Sequence, residues 1–184
     1  MNSHIDLSGV YLYTDRLCLR PWLHRDLLDL YEYASVPGVG EMAGWRHHKS
    51  IAESERVLNY LIITRKTFAL TLNDKVIGSL GVDNYDTELF PELQDKLGRE
   101  LGFTLSRDYW GQGIMDEAVE AVCRWLFSEL HFDFILCGCF EDNFRSVKLQ
   151  EKCGFKFFCK AKLPDAMGNI RNARFSIIYK EDFK

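Results

Sequence analysis

Proline is scarce in this sequence, 4 of 184 residues, and no apolar run comes near the ~20 residues that a membrane-spanning helix needs. The first shortage argues against a proline-rich or low-complexity chain, the second against a partner bilayer. An excess of one charge is missing too. Against 23 Lys and Arg stand 27 Asp and Glu, a net of −4, so no overall positive field favours nucleic acid or an anionic membrane as partner. The six cysteines, Cys18, Cys123, Cys137, Cys139, Cys153 and Cys159, include no CxxC pair, and HExxH is absent, so no metal is expected. Most of them lie in apolar segments, as the reduced thiols of a cytoplasmic protein do. Residues 1–13 carry Asp6 and lack a basic flank followed by a long apolar core, so they do not read as a secretory signal. What is abundant is apolar surface. At 47% apolar and 14% aromatic residues, the chain has material for one full core, and 1–184 is expected to form one compact domain.

Leu17 and Leu19 alternate with Cys18 and Arg20 before Pro21, so 16–20 reads as a first strand. A helix is expected over 25–34, then a loop over 35–49 broken by Pro37, Gly38, Gly40 and Gly44. Ser50 with Glu53 three residues on is a capping-box signature, and Ile51, Val57, Leu58, Leu61 and Ile62 continue it as an amphipathic helix. Residues 67–72 and 76–82 flank the turn Asn73-Asp74-Lys75 and predict a hairpin. A polar insertion, 83–96, with Asp83, Asp86, Glu88, Glu92 and Asp95, separates it from a strand at 100–106. Ile114, Met115, Ala118, Val119, Val122, Leu126, Phe127 and Leu130 recur at helical spacing and mark the longest helix. The apolar run 134–140 fits a buried strand, joined through that helix to a parallel neighbour. A short helix over 143–152 ends at Gly154 in a left-handed cap, and 155–162 and 173–179 are the last strands. The order β-α-α-β-β-β-α-β-α-β-β predicts a mixed α/β fold, its mixed central sheet flanked by helices.

Chemistry concentrates where the strand at 100–106 runs through Gly111-Gln112-Gly113 into the long helix. Free backbone N–H groups converge at such a helix start and its dipole adds partial positive charge, which suits a phosphate. A plain structural turn has the same glycine pattern. A dinucleotide fingerprint would need a third glycine where Asp116 stands, and the Gly-Lys-Ser/Thr of a P-loop is absent.

The segment from Tyr109-Trp110-Gly111-Gln112-Gly113 to Ile114-Met115-Asp116-Glu117-Ala118 resembles the acyl-CoA pyrophosphate loop of the GNAT superfamily of N-acetyltransferases, in its RimJ/RimL branch. Three further stretches match in order: Thr14-Asp15-Arg16-Leu17-Cys18-Leu19-Arg20-Pro21, Glu100-Leu101-Gly102-Phe103, and Asn143-Phe144-Arg145-Ser146 through Lys152-Cys153-Gly154-Phe155. The resemblance covers about 14–180 and implies the GNAT acyl-CoA N-acyltransferase fold. One departure is Asp108, where the superfamily pattern begins with Gln or Arg; backbone contacts do not depend on it.

The resemblance implies acetyl-CoA as co-substrate and an amine acceptor, with direct attack of the amine on the thioester. The backbone of Phe103, Thr104 and Leu105 would pair with the pantetheine arm, and an N–H near Leu105 would stabilise the oxyanion. Gly111, Gln112, Gly113, Ile114, Met115 and Asp116 would hold the pyrophosphate, and Asn143 would contact the arm, a role compatible with capping a helix. Glu100 is the candidate general base; its alternative is a plain ion pair with a cation such as Arg99. The tyrosine that many superfamily members carry seven residues after this Asn is here Gln150, which cannot act as an acid. Ser146 instead matches the branch serine, as donor to the leaving sulfur or as a small packing residue. Trp45, His47 and His48 fall in the loop that walls the acceptor site in the family, as substrate-binding candidates or as exposed loop residues. Cys137 and Cys139 have no neighbouring His in sequence to activate them as nucleophiles. Dimers are frequent among relatives, so a homodimer is a further expectation. The competing class is a non-catalytic acyl-CoA-binding module of the same fold.

Overall fold

The computed structural model describes residues 5–183. Among these residues, eight strands form one sheet: β1 (Leu12–Tyr13), β2 (Cys18–Arg20), β3 (Thr67–Leu72), β4 (Lys75–Asp83), β5 (Gly98–Leu105), β6 (Phe134–Phe140), β7 (Lys156–Pro164) and β8 (Ile170–Tyr179). Their spatial order is β1-β2-β3-β4-β5-β6-β8-β7. All neighbours are antiparallel except β5 and β6, which run parallel. The helices are α1 (Leu27–Ala34), α2 (Ile51–Thr64), α3 (Ile114–Ser128) and α4 (Phe144–Lys152). Among the described residues, no helix is long and apolar enough to cross a membrane.

Alternation along the strands sends side chains to two faces. Leu19, Leu70, Leu80, Leu101 and Ile135 pack beneath α3 residues Ala118, Val119, Val122 and Leu126. On the opposite face Ala69 and Val76 meet Leu30, Tyr33 and Leu58 of α1 and α2. The stretch 83–96 is only partly the polar insertion expected. Asp83 ends β4, and Tyr85, Phe90 and Leu93 are buried with Phe134, Leu136 and Phe175 in a third cluster. The Tyr85 hydroxyl donates to the Leu93 carbonyl at 2.7 Å, so a segment that is acidic on its outside is a covering layer for the far end of β5, β6 and β8.

The first strand also differs. Thr14 Oγ1 accepts from the Leu17 N–H at 2.9 Å and the Thr14 N–H donates to the Leu17 carbonyl, so 14–17 is a tight turn between β1 and β2 and Arg16 stands outside the strand. Ser50 caps α2, its Oγ accepting from Glu53 N–H at 3.3 Å, but the Glu53 carboxylate accepts from the Lys49 N–H at 2.8 Å and not from Ser50's own, so only half of the expected capping box forms; Gly154 is left-handed with φ +87.

Candidate active site

The sheet opens between β5 and β6. The two strands are paired from Gly98–Leu101 against Phe134–Cys137. Beyond that register β5 continues to Leu105 against β4, and β6 continues to Phe140 against β8. Strand pairing is therefore lost at Gly102 and Gly138, and a cleft of about 540 Å³ begins there. Gly138 cannot carry a side chain, because a Cβ would lie 2.6 Å from the Phe175 ring.

The Ser106 N–H donates to the Ile77 carbonyl at 2.7 Å, which fixes the alternation along this edge. Thr104 pairs with Ser79 in the same register, so its main-chain groups face β4. The expected backbone role of Thr104 is thereby corrected; it lines the cleft with its side chain. Phe103 and Leu105 turn their N–H groups toward the opening. The Leu105 carbonyl is occupied by Trp110 Nε1 at 2.9 Å, which leaves the Leu105 N–H aimed into the cleft.

At the mouth stands the start of α3. Gly111 and Gly113 have φ +75 and +70, conformations that L side chains rarely adopt, and a Cβ on Gly111 would meet nothing within 4 Å. Gly113 is the N-cap and no side chain caps the helix, so the first N–H groups, at Ile114, Met115 and Asp116, have no intrahelical partner. The Ile114 and Met115 side chains are core residues. The Gln112 side chain turns away: its Nε2 donates back to the Asp108 carbonyl at 2.9 Å and it is not part of the cleft lining, so any part it has in the cradle is through its main chain. Cations surround the cradle. The Arg16 guanidinium donates to the Gln112 carbonyl at 3.0 Å, and Lys152 pairs with Asp116.

Arg145, Lys148 and Lys152 of α4 also line the cleft, and sequence reasoning passed over them as binding residues. Their spacing of three and four residues on one helix face was the available signal. Arg145 stacks on the Trp110 ring at 4.5 Å. Asn143 caps α4 through the Ser146 N–H at 3.3 Å, and its Nδ2 donates to the Met42 carbonyl at 3.2 Å, tying α4 to the loop over 35–49. Ser146 is buried and lines the cleft.

That loop contributes Val39, Met42 and Ala43 to the cleft, rather than the three residues singled out from sequence. His48 points inward: its Nδ1 lies 2.7 Å from Ser54 Oγ, its N–H donates to the Ala34 carbonyl, and burial pushes its pKa below the ordinary histidine value. His47 Nδ1 is 2.6 Å from Glu41 Oε1. Desolvation opposes ionisation of Glu41, but the bonds it accepts from His47 and the Gly38 N–H hold its carboxyl at about 2. Trp45 packs its ring over Gly40, where a Cβ would come within 2.3 Å. All three brace the loop from behind, because an aromatic or imidazole ring gains more from packing and a fixed partner than from facing water.

Glu100 lies half-buried on the face shared by Gly102, where a Cβ would meet nothing within 4 Å. It stands opposite Asp83 in register. Burial, then the charges of Asp83 and Asp86, push its carboxyl up to about 7. Burial also raises the Asp83 carboxyl, although that side chain keeps an exposed edge. Arg99 is not its partner: it points to the other face, over the Phe132 ring at 5.1 Å. Burial drives the Cys137 and Cys139 thiols above their ordinary value, which disfavours the thiolate that either would need as a nucleophile.

Residues 16–156 match the family model described as "Acetyltransferase (GNAT) domain". A relative from Bacillus licheniformis, described as "Uncharacterized N-acetyltransferase p20", is 27% identical over 152 residues, covering 79% of this chain and 82% of its own. The structure of the microcin C7 self-immunity acetyltransferase MccE, in complex with acetyl-CoA and AMP, superposes with a TM-score of 0.77 at 16% identity, over 90% of this chain and 93% of that one. The ribosomal-protein-S5-alanine acetyltransferase from Vibrio fischeri does so with a TM-score of 0.71 at 21% identity, over 95% and 99%.

Proposed function

We propose that this chain, which belongs to the GNAT family of acetyltransferases and uses acetyl-CoA as acyl donor, acetylates the nitrogen of a cationic primary amine. The observation that carries the reading is the loss of pairing between β5 and β6 at Gly102 and Gly138, directly beside the uncapped start of α3. Strand edge, helix start and α4 cations suit an elongated ligand with amides along its length and phosphates at its end.

Acetyl-CoA supplies the activated acyl group; the chain must deprotonate, polarise and release. An alkyl ammonium holds its proton near pH 7, with an unperturbed pKa of about 10.4. Glu100, poised at about 7, is a base matched to that pH, and the neighbouring Asp83 and Asp86 favour a cationic acceptor. The Leu105 N–H is placed to stabilise negative charge on the carbonyl oxygen under attack. Ser146 donates a hydrogen bond to the departing sulfur. The C–N bond forms as the C–S bond breaks; the ammonium loses two protons by way of Glu100, one to solvent and one that reaches the departing sulfur through solvent, so the exchange balances without a covalent enzyme intermediate.

The RimJ/RimL assignment is supported by the Thr14-to-Pro21 stretch and by the likeness to the ribosomal-protein acetyltransferase. On that reading the acceptor is a protein N-terminal amine, with a small-molecule amine as the other member of the class. Six free cysteines fit a reducing, cytoplasmic compartment. The test is free-thiol release from acetyl-CoA with a panel of N-terminal peptides, polyamines and amino acids, with mass spectrometry of the products. Tight binding with no thiol release above background on any amine would move the chain to the non-catalytic acyl-CoA-binding class.

A further inference from the structure

The amide of Gln150 has no part in the chemistry described so far, yet it is 1% exposed. It sits one helical turn after Ser146 on α4. Its Nε2 donates to Ser146 Oγ at 3.1 Å, while its Oε1 has no hydrogen-bond partner among the described residues. An unpaired buried carbonyl is a standing cost that leucine or methionine at the same place would avoid. A hydroxyl that accepts from Gln150 must send its own proton elsewhere. Two directions are open to it: the Cys139 sulfur on β6, and the cleft that Ser146 lines. Ser146 and Gln150 both hydrogen-bond to the Cys139 sulfur and favour its ionised form, but burial outweighs them and pushes the thiol up, so it stays protonated and is a weak acceptor that a departing thiolate outcompetes.

We propose that Gln150 is a positioning residue: by donating to Ser146 Oγ it turns the Ser146 hydroxyl proton into the cleft, toward the sulfur that departs as a thiolate. The inference rests on the reading of Ser146 as the donor to that sulfur. The hydroxyl keeps its proton throughout; it shares it with the sulfur as the electron pair of the breaking carbon–sulfur bond moves there.

Free coenzyme A is the probe, because its thiolate is the species that the hydroxyl would meet and no acceptor amine is needed. Calorimetric titration of the full chain from about pH 6.5 to about pH 9 spans the ionisation of an ordinary thiol. The wild type is expected to bind coenzyme A more tightly as the thiol ionises. Gln150→Leu, Gln150→Met and Ser146→Ala should each lose about tenfold of that gain. The double variant Gln150→Leu/Ser146→Ala should lose no more than either single one, since both remove the same hydrogen bond. Acetyl-CoA, which has no free thiol, should bind the Gln150 variants within about twofold of wild type. Two Gln150 variants guard against one that fails to fold. A Gln150 variant that keeps the gain overturns the proposal, as do losses that multiply in the double variant. A larger gain in the Gln150 variants overturns it too, by showing that the amide accepts the hydroxyl proton instead of directing it. If Ser146→Ala also keeps the full gain, the Ser146 reading falls together with this one; if Ser146→Ala loses it and the Gln150 variants do not, this proposal falls alone.

Discussion

Along its α3 edge the cleft offers main-chain groups: the N–H groups of Phe103 and Leu105, and those of Ile114 to Asp116 at the uncapped helix start. Along the opposite edge the 35–49 loop offers the side chains of Val39 and Met42, held by the Asn143–Met42 bond, while Glu100 lies two residues before Gly102 on β5 and is not itself part of the lining. The first edge is made by secondary structure, so any sequence that forms this strand and helix with glycine at 111 and 113 makes it. The second depends on which side chains the loops turn inward. A ligand shared by many proteins suits the first material, and a selective acceptor suits the second.

The sharpest way to break the contrast is at Glu100, the side chain on which the proposed deprotonation depends. Glu100→Gln should lower kcat/KM by about a hundredfold, the lower range for loss of a general base. The rise of the wild-type rate through about pH 7 should disappear with it, because the base acts ionised and its carboxyl titrates near 7. Stability should move the other way. Its folded carboxyl titrates above the unfolded value of 4.5, so the fold favours the protonated form, and that contribution is present below pH 4.5 and lost as pH rises through 7. Glu100→Gln is therefore expected to raise the melting temperature above pH 7 and leave it unchanged below pH 4.5. A rate profile that keeps its limb would assign the base elsewhere.

Gly113→Val tests the main-chain edge. A β-branched residue at φ +70 strains the backbone and stands in front of the helix start, so acetyl-CoA affinity should fall about thirtyfold, read by calorimetry, with the acceptor KM unchanged. Lys148→Ala/Lys152→Ala should weaken acetyl-CoA about tenfold at low salt and less at high salt, since exposed cations are screened. Smallest is the effect expected at His47, which braces Glu41 from outside the cleft. His47→Ala should change kcat by less than about twofold, whereas a base at that position would cost at least the hundredfold of general-base loss.

These two edges were not equally legible. The β5-to-α3 run was readable because its signals are local: alternation over 100–106, two glycines, then a helical stripe. The place of Asn143 and Ser146, both in the cleft lining, was legible for the same reason, being fixed offsets at the start of one short helix. Thr104 was misread because the edge its main chain faces follows from the Ser106–Ile77 bond, a contact between strands. His47, His48 and Trp45 were misread because residue type marks them as capable of chemistry, while Ser54, Glu41 and Gly40 decide where they point. The acidic stretch 83–96 concealed a covering layer, since three apolar residues at irregular spacing make no periodic pattern.

The order of helices and strands and the glycine turn before α3 were determined by the amino-acid sequence alone, because backbone conformation answers to neighbours a few residues away. Tertiary structure alone decided that Glu100 meets Asp83 and not Arg99, and that α4 brings three cations to the α3 start. Each of these joins residues through packing between elements, and the energy that selects them, burial and pairing of polar groups, exists only once the layers have closed.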